Sequence, residues 1–184
     1  AEKPVYVQVL FALDRARALA QADPDFASTP ALEAAAAGDL DALLAGGGDA
    51  LLEVIEATHA GLAVEAFGRA VTDWIGRARH PETGLAHTAM TYQPMLELLR
   101  YLRDEGFQTW IVSGGGVHFV RAFAEEAYGI PPEQVLGSAT PTEYNETTNE
   151  VMKLPGIAFV DHKAGKPVGI DSRIGRRPIF ASGN

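Results

Sequence analysis

The run Trp110-Ile111-Val112-Ser113-Gly114-Gly115-Gly116 constrains the fold more than any other part of this chain. Apolar residues end in a hydroxyl and then glycines, and Val117-His118-Phe119-Val120-Arg121-Ala122-Phe123 follows with apolar residues at helical spacing. That order predicts a strand, a small polar turn and a helix N-terminus. Such a junction leaves backbone N–H groups pointing outward under a favourable helix dipole, and glycine lets an anion approach the backbone closely. A phosphate suits it. The spacing is not Gly-x-Gly-x-x-Gly, and no Gly-x-x-x-x-Gly-Lys-Ser/Thr run occurs, so dinucleotide and P-loop readings are weak.

The chain around this junction reads in two halves. From Pro4 to about Ala78 the pattern is helical, with Pro4 in a first turn and Val5, Val9, Leu10, Leu13, Ala16 and Ala20 on one face. Asp23-Pro24 stops that helix. Thr29 before Pro30 starts a short one ending at Gly38, and Asp39 and Asp49 are expected caps for the next two, with Gly61 as a stop. Leu62 to Arg79 completes the set, with Phe67, Val71, Trp74 and Ile75 inward. The tract Ala34-Ala35-Ala36-Ala37 reads as high helix propensity on a small packing surface.

From Thr88 helices alternate with short apolar strands. Gln93 to Glu105 is a helix with Leu96, Leu99 and Leu102 inward and Gly106 as its stop; a helix runs from the glycines to about Tyr128. A strand lies near Val135-Leu136, a polar hairpin spans Thr140 to Met152 and turns near Asn145, and a short helix falls between Ala164 and Ile174. Pro178-Ile179-Phe180-Ala181 is expected as a final strand. The alternation implies an α/β fold with a doubly wound parallel sheet, preceded by an all-α subdomain: 1–88 helical, 89–184 α/β core. Ligands in such sheets bind at the carboxyl ends of strands, where Ser113 and Gly183-Asn184 both lie.

Composition narrows the function classes. The net charge is −9, and the one basic cluster, Arg173 with Arg176 and Arg177, lacks interleaved aromatics, which disfavours nucleic-acid binding. An acidic protein that handles phosphates needs concentrated positive charge or a metal at the site. With no cysteine, thiolate catalysis and Cys-ligated zinc are excluded, whereas cytosol and periplasm fit equally. No apolar stretch approaches about 20 residues, so no membrane-spanning helix is expected. No two of the five histidines share a His-x-x-x-His spacing; all are read as structural, with His162 the least settled. Asp161 either orients Lys163 and Lys166 or is a turn residue.

Three segments in order carry a family likeness: Val112-Ser113-Gly114-Gly115, Gly165-Lys166-Pro167, and Phe180-Ala181-Ser182-Gly183-Asn184. Together they resemble the haloacid dehalogenase-like hydrolases, most of all the phosphoserine-phosphatase-type branch with a helical cap before the second motif. The resemblance implies a magnesium-dependent phosphatase acting on a small phosphorylated molecule through an aspartyl-phosphate, with the cap closing over the core. It implies that Ser113 and the Gly114 N–H hold a phosphate oxygen beside Gly115. Lys166, or its rival Lys163, offsets charge, and Asn184 falls at a magnesium-ligand position where an outer-shell role is equally open. Carbon–halogen hydrolysis without magnesium, or an inactive phosphate-binding fragment, are the alternatives. The family's first motif, Asp-x-Asp-x-Thr, does not occur here. Ala1-Glu2-Lys3-Pro4 reads as the segment just after it, so the natural protein is expected to supply the nucleophile before Ala1 and a metal-binding aspartate after Asn184.

Overall fold

The structure, a computed structural model, describes residues 6–183. Pro4, Val5 and Asn184, to which the sequence assigned roles, lie outside those residues. Contacts divide the chain into two units. One runs through Phe67 and takes in Pro141–Gly156; the other holds Gly68–Thr140 and the chain from Ile157 onward. The 88/89 boundary read from the sequence falls inside the second of these.

The first unit is built on helices α1 (Val7–Ala22), α2 (Pro30–Ala37), α3 (Leu40–Ala45) and α4 (Gly47–His59). Local chemistry sets their ends. Asp23 breaks α1 and accepts the Asp25 N–H at 3.0 Å, opening a 3-10 turn over Pro24–Phe26. The Thr29 hydroxyl caps α2 by accepting the Leu32 N–H, and Gly38 ends it in the left-handed region at φ +74°. Asp39 caps α3 through the Ala42 N–H at 2.9 Å. Asp49 does not cap α4: the helix starts at Gly47, with Gly46 in the cap position, and Asp49 lies in its first turn beside the helix dipole. Nor does Gly61 end it, since α4 stops at His59. Val9, Ala12, Leu13 and Ala16 of α1 pack with Ala31, Leu32 and Ala35 of α2, Leu43 of α3 and Val54 of α4. Ala35 and Ala16 are fully buried, so the alanine tract does lie at a packing surface.

The hairpin expected near Asn145 forms. Its strands, Thr142–Asn145 and Glu150–Lys153, pair antiparallel, and the Asn145 carbonyl side-chain oxygen closes the turn by accepting from Thr147 and Thr148. Lys153 exchanges backbone hydrogen bonds with Gly61 and Leu62, which ties the hairpin to the helical unit.

In the second unit, α6 (Gln93–Asp104) leads to strand β1 (Ile111–Gly116), short helices α7 (Val117–Arg121) and α8 (Ala124–Tyr128), strand β2 (Val135–Ser138) and α9 (Gly165–Ile174). Helix α5 (Val64–Arg77) buries Val71, Trp74 and Ile75 as its periodicity predicts. The single helix expected up to Tyr128 is two. Phe123 leaves helical geometry at φ −137°, ψ −1°, and its ring meets Phe119 edge-on at 5.5 Å and Tyr128 at 6.5 Å. Strands β1 and β2 are parallel, and both α7 and α9 pack on the pair. The fold is α/β with a small parallel sheet and a helical cap region. Pro178–Ala181 does not form the expected final strand: Ile179 and Phe180 are 84% and 61% exposed, and a strand needs a ladder partner that no described residue supplies. No helix among the described residues is long and apolar enough to cross a membrane.

Candidate active site

The parallel register bends at the site. Ile111, Val112 and Ser113 face Val135, Leu136 and Gly137, yet Gly116 faces Ser138, the very next residue. Gly114 and Gly115 are therefore extra residues on β1. The glycines do not form a turn after the strand, as the sequence suggested; the strand runs on to Gly116 with a bulge within it. The Ser113 hydroxyl oxygen accepts the Gly115 N–H at 3.0 Å and shapes that bulge. A hydroxyl used this way still has its own proton to donate. Gly137 makes the bulge possible. A Cβ there would lie 2.7 Å from the Gly115 carbonyl oxygen and 2.9 Å from the Val117 backbone.

The lysine arrives from α9, where Lys166 is the second residue. Its ammonium donates to the Val112 carbonyl, one residue before Ser113. An ammonium has three donors, so two remain for an anion at the end of β1. Lys163 is exposed in a left-handed turn residue, φ +48°. The structure thus brings Lys166 to the Ser113 strand through its bond to the Val112 carbonyl and leaves Lys163 in solvent.

Asp161 lies close enough to feel the Lys166 charge. It is 0% exposed, and neither carboxylate oxygen has a hydrogen-bond partner. Burial pushes its carboxyl above the usual carboxylate range, and the Lys166 charge opposes that shift. Gly169, one turn after Lys166 on α9, admits the carboxylate: a Cβ there would sit 2.9 Å from Asp161 Oδ1. His162 edges the glycine bulge, its Nδ1 lying 3.5 Å from where a Gly114 Cβ would stand.

Gly165 sets the entry of α9. A Cβ there would fall 1.9 Å from the Val160 carbonyl oxygen, a backbone atom that cannot turn aside. Gly165→Ala is expected to destabilise the protein by about 1–3 kcal/mol in urea unfolding and to displace the neighbouring Lys166. An unchanged midpoint would contradict this geometry.

Hydroxyl, ammonium and backbone amide suit an anion, whereas magnesium takes carboxylate, carbonyl and water oxygens. Asp161 alone offers a hard anionic oxygen here, and among the described residues no group of three or more His, Asp or Glu side chains could hold a metal. The described residues do not make a magnesium site.

A family model for the haloacid dehalogenase-like hydrolases matches residues 10–179. The chain belongs to that family. No curated protein matches its sequence. Among solved structures, a phosphoserine phosphohydrolase-like protein from Francisella tularensis subsp. tularensis SCHU S4 is similar with a TM-score of 0.41 and 16% identity. The match covers 91% of this chain and 66% of that one.

For this haloacid dehalogenase-like hydrolase, sequence reasoning singled out Ser113, Gly114, Gly115 and Lys166 but missed Gly137, Ser138 and Gly169. Gly137-Ser138 at the end of a short apolar run was the available signal: a second small pair at a strand's carboxyl end, where such folds bind ligands.

Proposed function

We propose that this hydrolase cleaves a small phosphomonoester, and that the described residues form the phosphate-holding side of its site. The observation that carries the reading is the Lys166 ammonium on the Val112 carbonyl, adjoining Ser113 and its glycine bulge. The Ser113 O–H and the amide of Gly114, an exposed residue, bind one phosphate oxygen. Lys166 neutralises charge on the transferring group. In phosphoryl transfer the protein mainly positions and neutralises, so these groups have the right chemistry.

The nucleophile in this reading is an aspartate of the first motif, outside these residues. Its carboxylate oxygen bonds to phosphorus as the ester P–O bond breaks, the alcohol leaves with a proton, and water then releases phosphate and restores the carboxylate. The described residues make no magnesium site; a magnesium bound by other carboxylates would add charge neutralisation at the phosphate.

The test is hydrolysis of p-nitrophenyl phosphate by the full-length gene product. Activity is expected with magnesium and is expected to vanish in EDTA. Ser113→Ala is expected to lower kcat by about 10²-fold, the usual cost of one lost donor to a developing anion. Turnover of a 2-haloacid without metal, and none of the aryl phosphate, would replace this reading with carbon–halogen hydrolysis.

A further inference from the structure

Ser138, the last residue of β2, touches both halves of the site at once. Its hydroxyl donates to the Gly114 carbonyl at 2.8 Å and accepts the Asp161 N–H at 3.0 Å. Gly114 belongs to the bulge that Ser113 shapes. Asp161 opens the turn that delivers Lys166, a turn closed by the Gly165 N–H on the His162 carbonyl at 2.9 Å.

The place of this hydroxyl is set by where backbone pairing stops. Ala139 and Phe159 form an isolated antiparallel bridge, with N–H to carbonyl distances of 2.9 and 3.1 Å. Two residues further, at Asp161, the Ser138 side chain takes over from the backbone. Only a group that donates and accepts in one atom can serve both partners, and a serine hydroxyl does so. The Asp161 side chain, buried against Gly169, keeps its backbone within reach.

We propose that Ser138 is a positioning residue for the phosphate site: its two-ended hydrogen bond fixes the distance between the Ser113 bulge and the Lys166 turn. This rests on the phosphate reading above. A phosphate bridges donors only when their spacing matches its oxygens, and misplacement of about 1 Å weakens charge stabilisation in the transition state. Ser138 touches no substrate; it acts through Lys166.

The experiment is a double-mutant cycle in the full-length protein with p-nitrophenyl phosphate. S138A is expected to lower kcat/KM about ten- to thirtyfold, the cost of two lost hydrogen bonds, with most of the loss in kcat. S138T keeps the hydroxyl and is expected to recover most of that loss. In a Lys166→Met background, S138A is expected to cost less than about twofold, because the group it positions is gone. Full activity of S138A, failure of S138T to recover, or an equal cost with and without Lys166 would each overturn the inference. Turnover unchanged by Lys166→Met with Ser138 intact would instead overturn the phosphate reading, and this inference with it.

Discussion

Lys166→Met is expected to lower kcat for phosphomonoester hydrolysis by about 10²–10³-fold, while leaving the fold in place. The substitution keeps most of the side-chain volume and removes the charge, so the comparison isolates electrostatics. The lysine is half-buried, and its ammonium is anchored on the Val112 carbonyl rather than waving in solvent. An anchored donor costs no reorganisation as charge builds on the phosphoryl oxygens, which is where such donors have their largest effect. The protein's net charge of −9 sharpens the point, since its general field repels a phosphate and local charge must overcome it. Lys163→Met is the control. If it cost more than Lys166→Met, the exposed lysine would be the functional cation and the anchored one a strut. Steady-state kinetics on the two variants, with melting temperatures alongside, decide between them.

What could be read from the sequence was whatever local chemistry fixes. Thr29, Asp39 and Gly38 cap or end helices through their own neighbours, so their roles were visible in order along the chain. The helical spacing of Phe67, Val71, Trp74 and Ile75 on one face needed no tertiary information. Ser113 and Lys166 lie on separate elements, and only the family likeness paired them. The bulge at Gly114-Gly115 depends on the register against β2, which no local pattern encodes. Ser138 reads as an ordinary strand-end serine until Gly114 and Asp161 are seen on either side of its hydroxyl. Asp161 reads either as orienting Lys163 and Lys166 or as a turn acid, and its burial is not legible because burying a carboxylate without a partner runs against its intrinsic cost. Pro178–Ala181 failed in the other direction: its apolar pattern suits a strand, but a ladder is a property of two segments.

The helical unit holds a group whose titration is expected to dominate acid unfolding. His59 is 3% exposed, packed at 5.6 Å against the Phe11 ring and at 4.8 Å against Phe67. The Thr58 hydroxyl donates to the Val54 carbonyl at 2.6 Å, so at 2.8 Å from His59 Nδ1 it accepts, which assigns the neutral tautomer with its proton on Nδ1. Burial, with the positive charges of Lys153 and Arg15, lowers the His59 pKa to about 3. Between pH 6.5 and 3 the unfolded chain therefore binds a proton that the native state refuses, and stability falls as pH falls through that window. A shift of this size corresponds to about 5 kcal/mol once the window is crossed, comparable with the whole stability of a small domain. Lys153 makes the refusal firm. Its own pKa is lowered to about 8, so it is fully charged throughout the acid window, held 4.7 Å over the Phe67 ring. Urea unfolding at pH 7, 5 and 4 is expected to show the midpoint falling steeply in the native chain and far less in His59→Phe, whose ring cannot titrate. Thr58 keeps its Val54 bond in that variant, so no buried hydroxyl is orphaned by the change. Parallel pH profiles for the two proteins would mean that His59 is not the group that acid attacks, and the loss would then belong to the carboxylates.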